Sequence, residues 1–312
     1  MNTLFFKYAI EVEQTRSITK AAENLYMAQP NLSKAIRELE DTVGFPIFVR
    51  SSKGVIPTEQ GQEFLRYAHN IMLELDKMTK ISELSDGAVQ SFRISIPRGS
   101  YIAHGFTEFA AQLDPAKRVM LNVVETNSMQ TIQHVLDGQS DLGIIRYQMA
   151  FEPYFMDYLQ EKQLAFEPIW EFAYLLLFSD KHPLAERRQI SETDLEKFTE
   201  IVHGDLQVPY LSDANRSGYG DGRNIRSKIY LYERANQFEL LSRLPNTFMW
   251  VSPVPDSFLS RYQLIQRACK AERNLHKDLL IYPKDYQFRP IDRQFIDQLF
   301  AAKNEVAFKH YE

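Results

Sequence analysis

Ser17-Ile18-Thr19-Lys20-Ala21-Ala22-Glu23-Asn24-Leu25, then Ala28-Gln29-Pro30-Asn31-Leu32-Ser33-Lys34-Ala35-Ile36-Arg37-Glu38-Leu39-Glu40, closed by Gly44-Phe45-Pro46-Ile47-Phe48-Val49-Arg50, is the stretch that decides the fold. It reads as two short helices joined by a tight turn and followed by a turn-rich hairpin. In the second helix Leu32, Ile36, Leu39 and Val43 follow a 4-3-4 spacing, which makes one stripe for burial. At about 100° per residue, Ser33, Lys34 and Arg37 project from the opposite face. Ala21-Ala22 is small enough for the first helix to lie close against the second. The pattern is a helix-turn-helix that offers its second helix to a DNA major groove. Pro30 suits the first helical turn, where its missing N–H costs nothing. Gln29, Asn31, Ser33, Lys34 and Arg37 are then the candidate DNA-facing residues, with Arg37 the best placed for a bidentate contact.

These residues resemble the N-terminal signature of the LysR-type transcriptional regulators. The correspondence runs through Ser17, Ala21-Ala22, Leu25, Gln29-Pro30, Ser33-Lys34, Leu39-Glu40, Gly44, Phe48, Arg50, and Thr58 with Gly61. So many positions at fixed spacing are far more specific than a bare helix-turn-helix. The resemblance implies an N-terminal all-α winged helix-turn-helix with a long linker helix. It also implies a C-terminal α/β domain like the periplasmic binding proteins, made of two Rossmann-like lobes.

The chain has 312 residues, 44% hydrophobic and 25% charged, enough for about two globular domains and giving no sign of disorder. Its net charge of −5 argues mildly against a nucleic-acid partner, and residues 1–60 balance seven Lys/Arg against seven Asp/Glu. Placement decides, however, since only the cations facing phosphate count. Lys20, Lys34, Arg37, Arg50 and Lys53 are expected on one surface, with Glu11, Glu13, Glu38 and Glu40 turned away. Cys269 is the single cysteine, so an intramolecular disulfide, a thiolate zinc cluster and a two-cysteine switch are excluded. The Met1-Asn2-Thr3 start has no charged leader, and no apolar run approaches eighteen residues, so a cytoplasmic protein with no membrane partner is expected.

Residues 1–58 form the DNA-binding domain, and Ser51-Ser52-Lys53-Gly54 reads as a hairpin tip, either a wing with Arg50 and Lys53 on phosphates or an ordinary surface loop. Thr58 can cap a long helix to about Leu84, within a linker spanning 59–87 and broken at Ser85-Asp86-Gly87. Phe64, Ala68, Ile71, Leu75 and Met78 are spaced 4-3-4-3, the seam of a two-stranded coiled coil and hence a dimerisation stripe. The alternative is a helix packed on its own domain. From residue 91 to 312 strands alternate with helices, among them strands at Phe92–Pro97, Met120–Val124, Leu142–Ile145, Thr247–Val251 and Leu279–Tyr282. Helices are expected at Ala103–Leu113, Met129–Leu136, Arg234–Leu244 and Asp292–Ala302. The apolar run Tyr174–Phe178 suits a strand buried on both faces.

Asp137–Ile144 and His182-Pro183-Leu184-Ala185 also resemble the family's ligand-binding domain. The resemblance implies chain crossings near 165 and 265, so that lobe one is about 91–164 plus 268–312 and lobe two about 165–267. In one departure, Arg243-Leu244-Pro245-Asn246 stands where the family has a glycine-rich turn, which would alter the cleft edge of lobe two. Open α/β sheets bind ligands at the carboxyl ends of their strands, where helix N-termini offer free N–H groups. Ser100, Tyr101, Thr126, Ser128, Arg146 and His203 follow strands and are the candidate effector residues. Helix capping is the competing role for Ser100 and Thr126, and a solvated surface position for Arg146 and His203. A small organic acid or amino-acid-like metabolite is the expected effector.

An enzyme on the α/β region would need a motif that is missing: there is no Gly-x-Ser-x-Gly, Gly-x-x-x-x-Gly-Lys or His-Glu-x-x-His. Gly218-Tyr219-Gly220-Asp221-Gly222 follows no strand, and the seven histidines are scattered without metal spacing. A ligand carrier or an architectural DNA protein each leaves one of the two regions unexplained. The expected function is therefore a ligand-responsive transcription factor without a cofactor or metal, acting on promoter DNA as a homodimer or homotetramer. RNA polymerase is an expected further partner.

Overall fold

Two caps start the N-terminal unit in the computed structural model, which describes residues 2–51, 54–79, 89–204, 227–232, 237–270, 275–309 and 311. Asn2 accepts from the Leu4 N–H at 3.0 Å and opens α1 (Thr3–Thr15). Ser17 accepts from the Lys20 N–H at 3.3 Å and opens α2 (Ile18–Asn24). The third helix, α3 (Gln29–Val43), carries Pro30 in its first turn and stops at Gly44, whose φ of 83° is the left-handed cap glycine tolerates. A wing follows, β1 (Phe48–Ser51) paired antiparallel with β2 (Gly54–Pro57). Then comes α4 (Glu59–Thr79).

Leu32, Ile36 and Leu39 of α3 are buried against Phe6, Ala9 and Val12 of α1, Ala21 and Ala22 of α2, and Leu65 and Ala68 of α4. The signature positions outside this core turn out to be polar ties. Glu40 Oε1 accepts the N–H groups of Ile47 (2.8 Å) and Phe48 (3.1 Å), which fixes the start of the wing to α3. Thr58 donates to the Pro46 carbonyl at 2.7 Å and accepts from the Gly61 N–H at 2.8 Å, so it does cap α4. At Gly61 a Cβ would lie 2.0 Å from the Ile47 carbonyl oxygen, so only glycine lets α4 approach the wing this closely. His69 of α4 and Glu13 of α1 add a 2.9 Å ion pair.

The seam expected on α4 needs correction. Ala68 is 1% exposed inside the unit, and Phe64 stacks edge-on with Phe6 and Phe45. Ala68 spends its apolar surface, and Phe64 part of its own, within one chain, because a 4-3 spacing serves a domain core as well as a partner helix. The outward apolar residues are Tyr67, Ile71 and Met78, with exposures of 52%, 41% and 63%. Leu75 continues the same stripe by its spacing, four residues from Ile71. The expected end of this helix near Leu84, its break at Ser85-Asp86-Gly87, and Lys53 lie outside the described residues, as does the Arg50 side chain.

The second unit begins at Gln90 and is built on two five-stranded sheets. The first contains β3 (Val89–Ile96), β4 (Arg118–Glu125), β5 (Leu142–Gln148) and β6 (Leu164–Ala173), together with a late strand (Leu275–Pro283) described below. Connecting helices are α5 (Ser100–Ala111), α6 (Ser128–Leu136) and α7 (Glu152–Glu161). The second lobe runs through β7 (Leu175–Ser179), a short β8 (Ile190–Ser191), α8 (Glu192–Leu195), β9 (Thr199–His203), β10 (Ser227–Leu231), α9 (Gln237–Arg243), β11 (Thr247–Val251), α10 (Asp256–Tyr262), β12 (Leu264–Arg267) and a short β13 (Cys269–Lys270). The chain then returns as β14 (Leu275–Pro283) and ends in α11 (Pro290–Ala307).

Sheet order is β4-β3-β5-β14-β6 in the first lobe and β10-β9-β11-β7-β12 in the second. The inner strands β5 and β14 alternate their side chains between two layers. Ile144 and Leu280 join Phe109 of α5 and Phe295 of α11, while Ile145, Leu279 and Ile281 join Ile132 of α6 and Phe155 of α7. The run at β7 is buried on both faces, as its continuous apolar sequence requires.

Two boundaries differ from the sequence reading. Residues 164–173 pair with β14 over nine residue pairs, so they belong to the first sheet and the passage into lobe two falls at Tyr174, not near 165. Two reasons explain the error: β6 is an edge strand with mixed burial, and its partner β14 lies about a hundred residues later in sequence. The turn Leu244–Thr247 is closed without glycine by the Thr247 hydroxyl on the Leu244 carbonyl at 2.8 Å. It sits at the amino end of β11, where Thr247 pairs with Thr199, at the opposite end of β9 from His203. Among the described residues no helix is long and apolar enough to cross a membrane.

Candidate functional site

On α3 the burial of Leu32, Ala35, Ile36 and Leu39 leaves Gln29, Pro30, Asn31, Lys34 and Arg37 outside the core, with Ser33 beside them. These residues span the first three turns of one helix face. The acids that made the region neutral by count are partly consumed inside it. Glu11 holds Asn24 Nδ2 at 2.7 Å, Glu13 holds His69, and Glu40 holds the wing. On α3 itself Lys34 and Arg37 are exposed together with Glu38 and Asp41.

In the C-terminal unit the candidates separate into two kinds. Arg146 lies within β5 rather than after it, and its side chain is 7% exposed. Its Nε and Nη2 donate to the Asp278 carboxylate at 2.7 and 2.6 Å. Tyr101, fully buried at the start of α5, donates its hydroxyl to the same carboxylate. The rings of Phe172, Tyr101 and Tyr174 stand 4.9, 5.9 and 5.9 Å from the guanidinium. Tyr174, in the passage between the sheets, stacks on His276 of β14 at 3.7 Å. Burial works against the Arg146 charge, but Asp278 outweighs it and the guanidinium stays protonated. Burial, reinforced by the Asp278 charge, raises the Tyr101 hydroxyl far above its usual range and keeps it a neutral donor.

Neither Arg146 nor Tyr101 is therefore a solvated side chain waiting for a ligand, and each already has its ionic or hydrogen-bond partner. Ser128 is likewise committed: its hydroxyl donates to the Arg146 carbonyl at 2.6 Å and accepts the Arg146 N–H at 3.0 Å. The cap of α6 is Asn127, which accepts from the Gln130 N–H at 2.9 Å. Arg146, Tyr101 and Ser128 thus tie β5, β14, α5 and the start of α6 together at one place.

The second kind lies at the ends of β3, β4 and β9. Ser100 opens α5 behind Gly99, is 4% exposed, and has no hydrogen-bond partner for its hydroxyl among the described residues. It is not the cap, since Gly99 occupies that position. Gly99 is required there because a Cβ would come within 2.9 Å of the Arg146 guanidinium. Thr126 donates its N–H to the Ile96 carbonyl at 2.9 Å, which brings the ends of β3 and β4 together beside Ser100. Arg98, two residues before Ser100, reaches lobe two and donates to the Tyr232 carbonyl at 3.0 Å. His203 ends β9, beside Gly204, whose N–H donates to the Leu231 carbonyl at the end of β10.

Sequence reasoning missed Asp278, Arg98 and the aromatic wall. Asp278 had a signal: it shares strand parity with Leu280 in the apolar run of β14, where a lone acid must have a buried partner. A buried nucleophile-like pair, Ser95 Oγ against His134 Nδ1 at 2.8 Å, is capped by Ser140 at 2.9 Å. Ser95 is fully buried, one residue from the end of β3.

Two family models match the chain. The bacterial regulatory helix-turn-helix protein, lysR family, covers residues 5–62, and the LysR substrate binding domain covers residues 111–303. The chain is 30% identical over 210 residues to the HTH-type transcriptional regulator CysB of Burkholderia cenocepacia, covering 66% of this chain and 64% of that protein. It is 27% identical over 204 residues to the Hca operon transcriptional activator HcaR of Escherichia coli, covering 63% of each. The matched region thus spans less than two thirds of either relative. Among solved structures, CbnR, a LysR family transcriptional regulator, superposes with a TM-score of 0.61 at 15% identity, covering 97% of this chain and 99% of that one. A full-length OxyR variant from Pseudomonas aeruginosa gives 0.56 at 15% identity, covering 98% and 96%. At these identities the two structures speak for the fold.

Removing Asp278 strands a buried cation. Asp278→Ala is expected to cost about 3–5 kcal/mol in urea unfolding, far more than the packing of one short side chain. A loss below about 1 kcal/mol would show that the Arg146 charge finds water or another acid.

Proposed function

The chain belongs to the LysR family of bacterial regulatory helix-turn-helix proteins, and from that premise we propose that it is a ligand-responsive transcription factor. One observation carries the reading: α3 buries one face completely and leaves Gln29, Asn31, Lys34 and Arg37 together on the other. In this role α3 enters the major groove, Arg37 and Gln29 read base edges, and Lys34 neutralises phosphate. Arg50 and Lys53 are assigned to phosphate on the grounds of the wing alone. The outward residues Tyr67, Ile71, Leu75 and Met78 of α4 form the dimer stripe in place of the Phe64–Ala68 end. Dimers pairing into a tetramer, and contact with RNA polymerase at the promoter, complete the assembly. No catalytic role is proposed, and the cytoplasm is the compartment such a regulator works in.

The effector, a small organic acid or amino-acid-like metabolite, is placed between the lobes against Ser100, Thr126, Arg98 and His203. Ser100 favours this placement because it opens α5 behind Gly99 without being spent as the cap of that helix. A carboxylate there would also meet the N-terminus of α5 and the Arg98 charge. Arg146, Tyr101 and Ser128 hold that wall in place without touching the ligand.

Three measurements test the reading. In gel-shift titrations on DNA from upstream of its own coding sequence, Arg37→Ala should weaken binding by about 1–3 kcal/mol. Unaltered affinity in a folded variant removes α3 from the interface. Ile71→Asp combined with Leu75→Asp should dissociate the dimer in sedimentation, since an unpaired carboxylate is costly in an apolar seam. A dimer that survives puts association in the C-terminal unit. Ser100→Ala should lower the response of the DNA shift to effector by about tenfold, the cost of one buried hydrogen bond, and an identical response would place the ligand elsewhere.

A further inference from the structure

Tyr26 occupies the turn between α2 and α3 with a φ of 53°, the left-handed conformation that side-chain-bearing residues other than Asn and Asp seldom adopt. Its side chain is 98% exposed. Leu25 and Met27 on either side pack against the core of the unit. Their N–H groups donate to the carbonyls of Ala21 (2.9 Å) and Ala22 (3.0 Å), and that of Tyr26 to the carbonyl of Glu23 (3.1 Å). The ring is therefore held out from an anchored turn, and its hydroxyl has no hydrogen-bond partner among the described residues. A glycine or asparagine would make this turn with less strain, and nothing in the core uses the ring.

What the ring stands beside gives it a use. Three Cα steps, at most about 11 Å, separate it from Gln29, where the outer face of α3 begins. The first-turn N–H groups of a fifteen-residue helix favour negative charge at that end. Lys34 and Arg37 continue the face, and Lys20 on α2 is exposed as well, with Glu23 the acid nearest in sequence. We propose that Tyr26 is a DNA-backbone contact, its phenol donating to a phosphate oxygen and its ring lying against the adjacent sugar. It thereby sets the depth and angle at which α3 enters the groove. A phosphate contact of this kind positions the protein and reads no base. Because the phenol is neutral, it releases no counterion, which separates its signature from that of a lysine.

This inference rests on the DNA reading of α3, and the test separates the two. The full chain and its Tyr26→Phe, Tyr26→Asn and Lys34→Ala variants are titrated by fluorescence anisotropy against duplex DNA from its own upstream region and against an unrelated duplex, over a range of salt. Tyr26→Phe should weaken both duplexes about fivefold and leave the salt slope unchanged, while Tyr26→Asn should weaken them about twentyfold. Lys34→Ala should instead flatten the slope by about one. Tyr26→Asn should melt at the wild-type temperature or above it, since it keeps the left-handed turn and removes strain. The inference is overturned if both Tyr26 variants bind like wild type while Lys34→Ala does not. It is equally overturned if Tyr26→Asn melts several degrees lower with Tyr26→Phe unaffected, which would make the ring structural. Altered sedimentation of Tyr26→Asn would assign the ring to contact between copies and also overturn it. If Lys34→Ala binds like wild type too, the DNA reading of α3 falls with it.

Discussion

The N-terminal unit depends on the complete burial of Leu32 and Leu39, with Ile36 nearly so, because a helix that hides this stripe can offer only its opposite face to a partner. About 1.5–3 kcal/mol per buried aliphatic side chain is at stake, enough to fix the rotation of α3 about its axis. Rotation alone does not fix its height. That comes from polar ties to the wing: Glu40 on the Ile47 and Phe48 amides, and Thr58 on Pro46 and Gly61. Apolar burial thus chooses the face, and hydrogen bonds choose the register.

The C-terminal unit has its own fixed point in the Asp278 carboxylate. Fully buried charges are expensive unless every oxygen is engaged, and here Arg146 takes both oxygens while Tyr101 adds a bond to one of them. The three residues come from β14, β5 and α5, so the ion pair registers two strands and a helix at one spot. Ser128 ties the start of α6 to the same place through the Arg146 backbone. The start of α5, which carries Ser100, is thereby anchored to β5 and β14.

Periodicity made most elements legible: the stripe of α3, the buried run at β7, and the β11 strand at Thr247–Val251 follow from spacing alone. Charge partners were not legible, because Arg146 and Asp278 are 132 residues apart and nothing local couples them. Reading Arg146 as a residue beyond the strand cut β5 short of Gln148 and turned a structural cation into a ligand candidate. The lobe boundary failed for a related reason: β6 shows mixed burial, and its pairing with β14 is a fact of topology. The strand-to-helix turn at Ser100 has a local signature, yet the cap of α5 is Gly99, one residue earlier than a capping Ser100 would place it.

The linker helix α4 shows why one spacing supported two readings. Leu65, Ala68 and Met72 face the core of the N-terminal unit, whereas Tyr67, Ile71 and Met78 lie on an adjoining stripe turned outward. At about 100° per residue, Ile71 stands some 60° around the helix from Ala68, so the two stripes share an edge. In the proposed dimer a single helix therefore carries both the packing of α1 and the seam with its partner, with no joint between them. The distance between two recognition helices is then set by side-chain packing on α4, and dimer DNA readers with half-sites about 34 Å apart require that kind of fixed spacing.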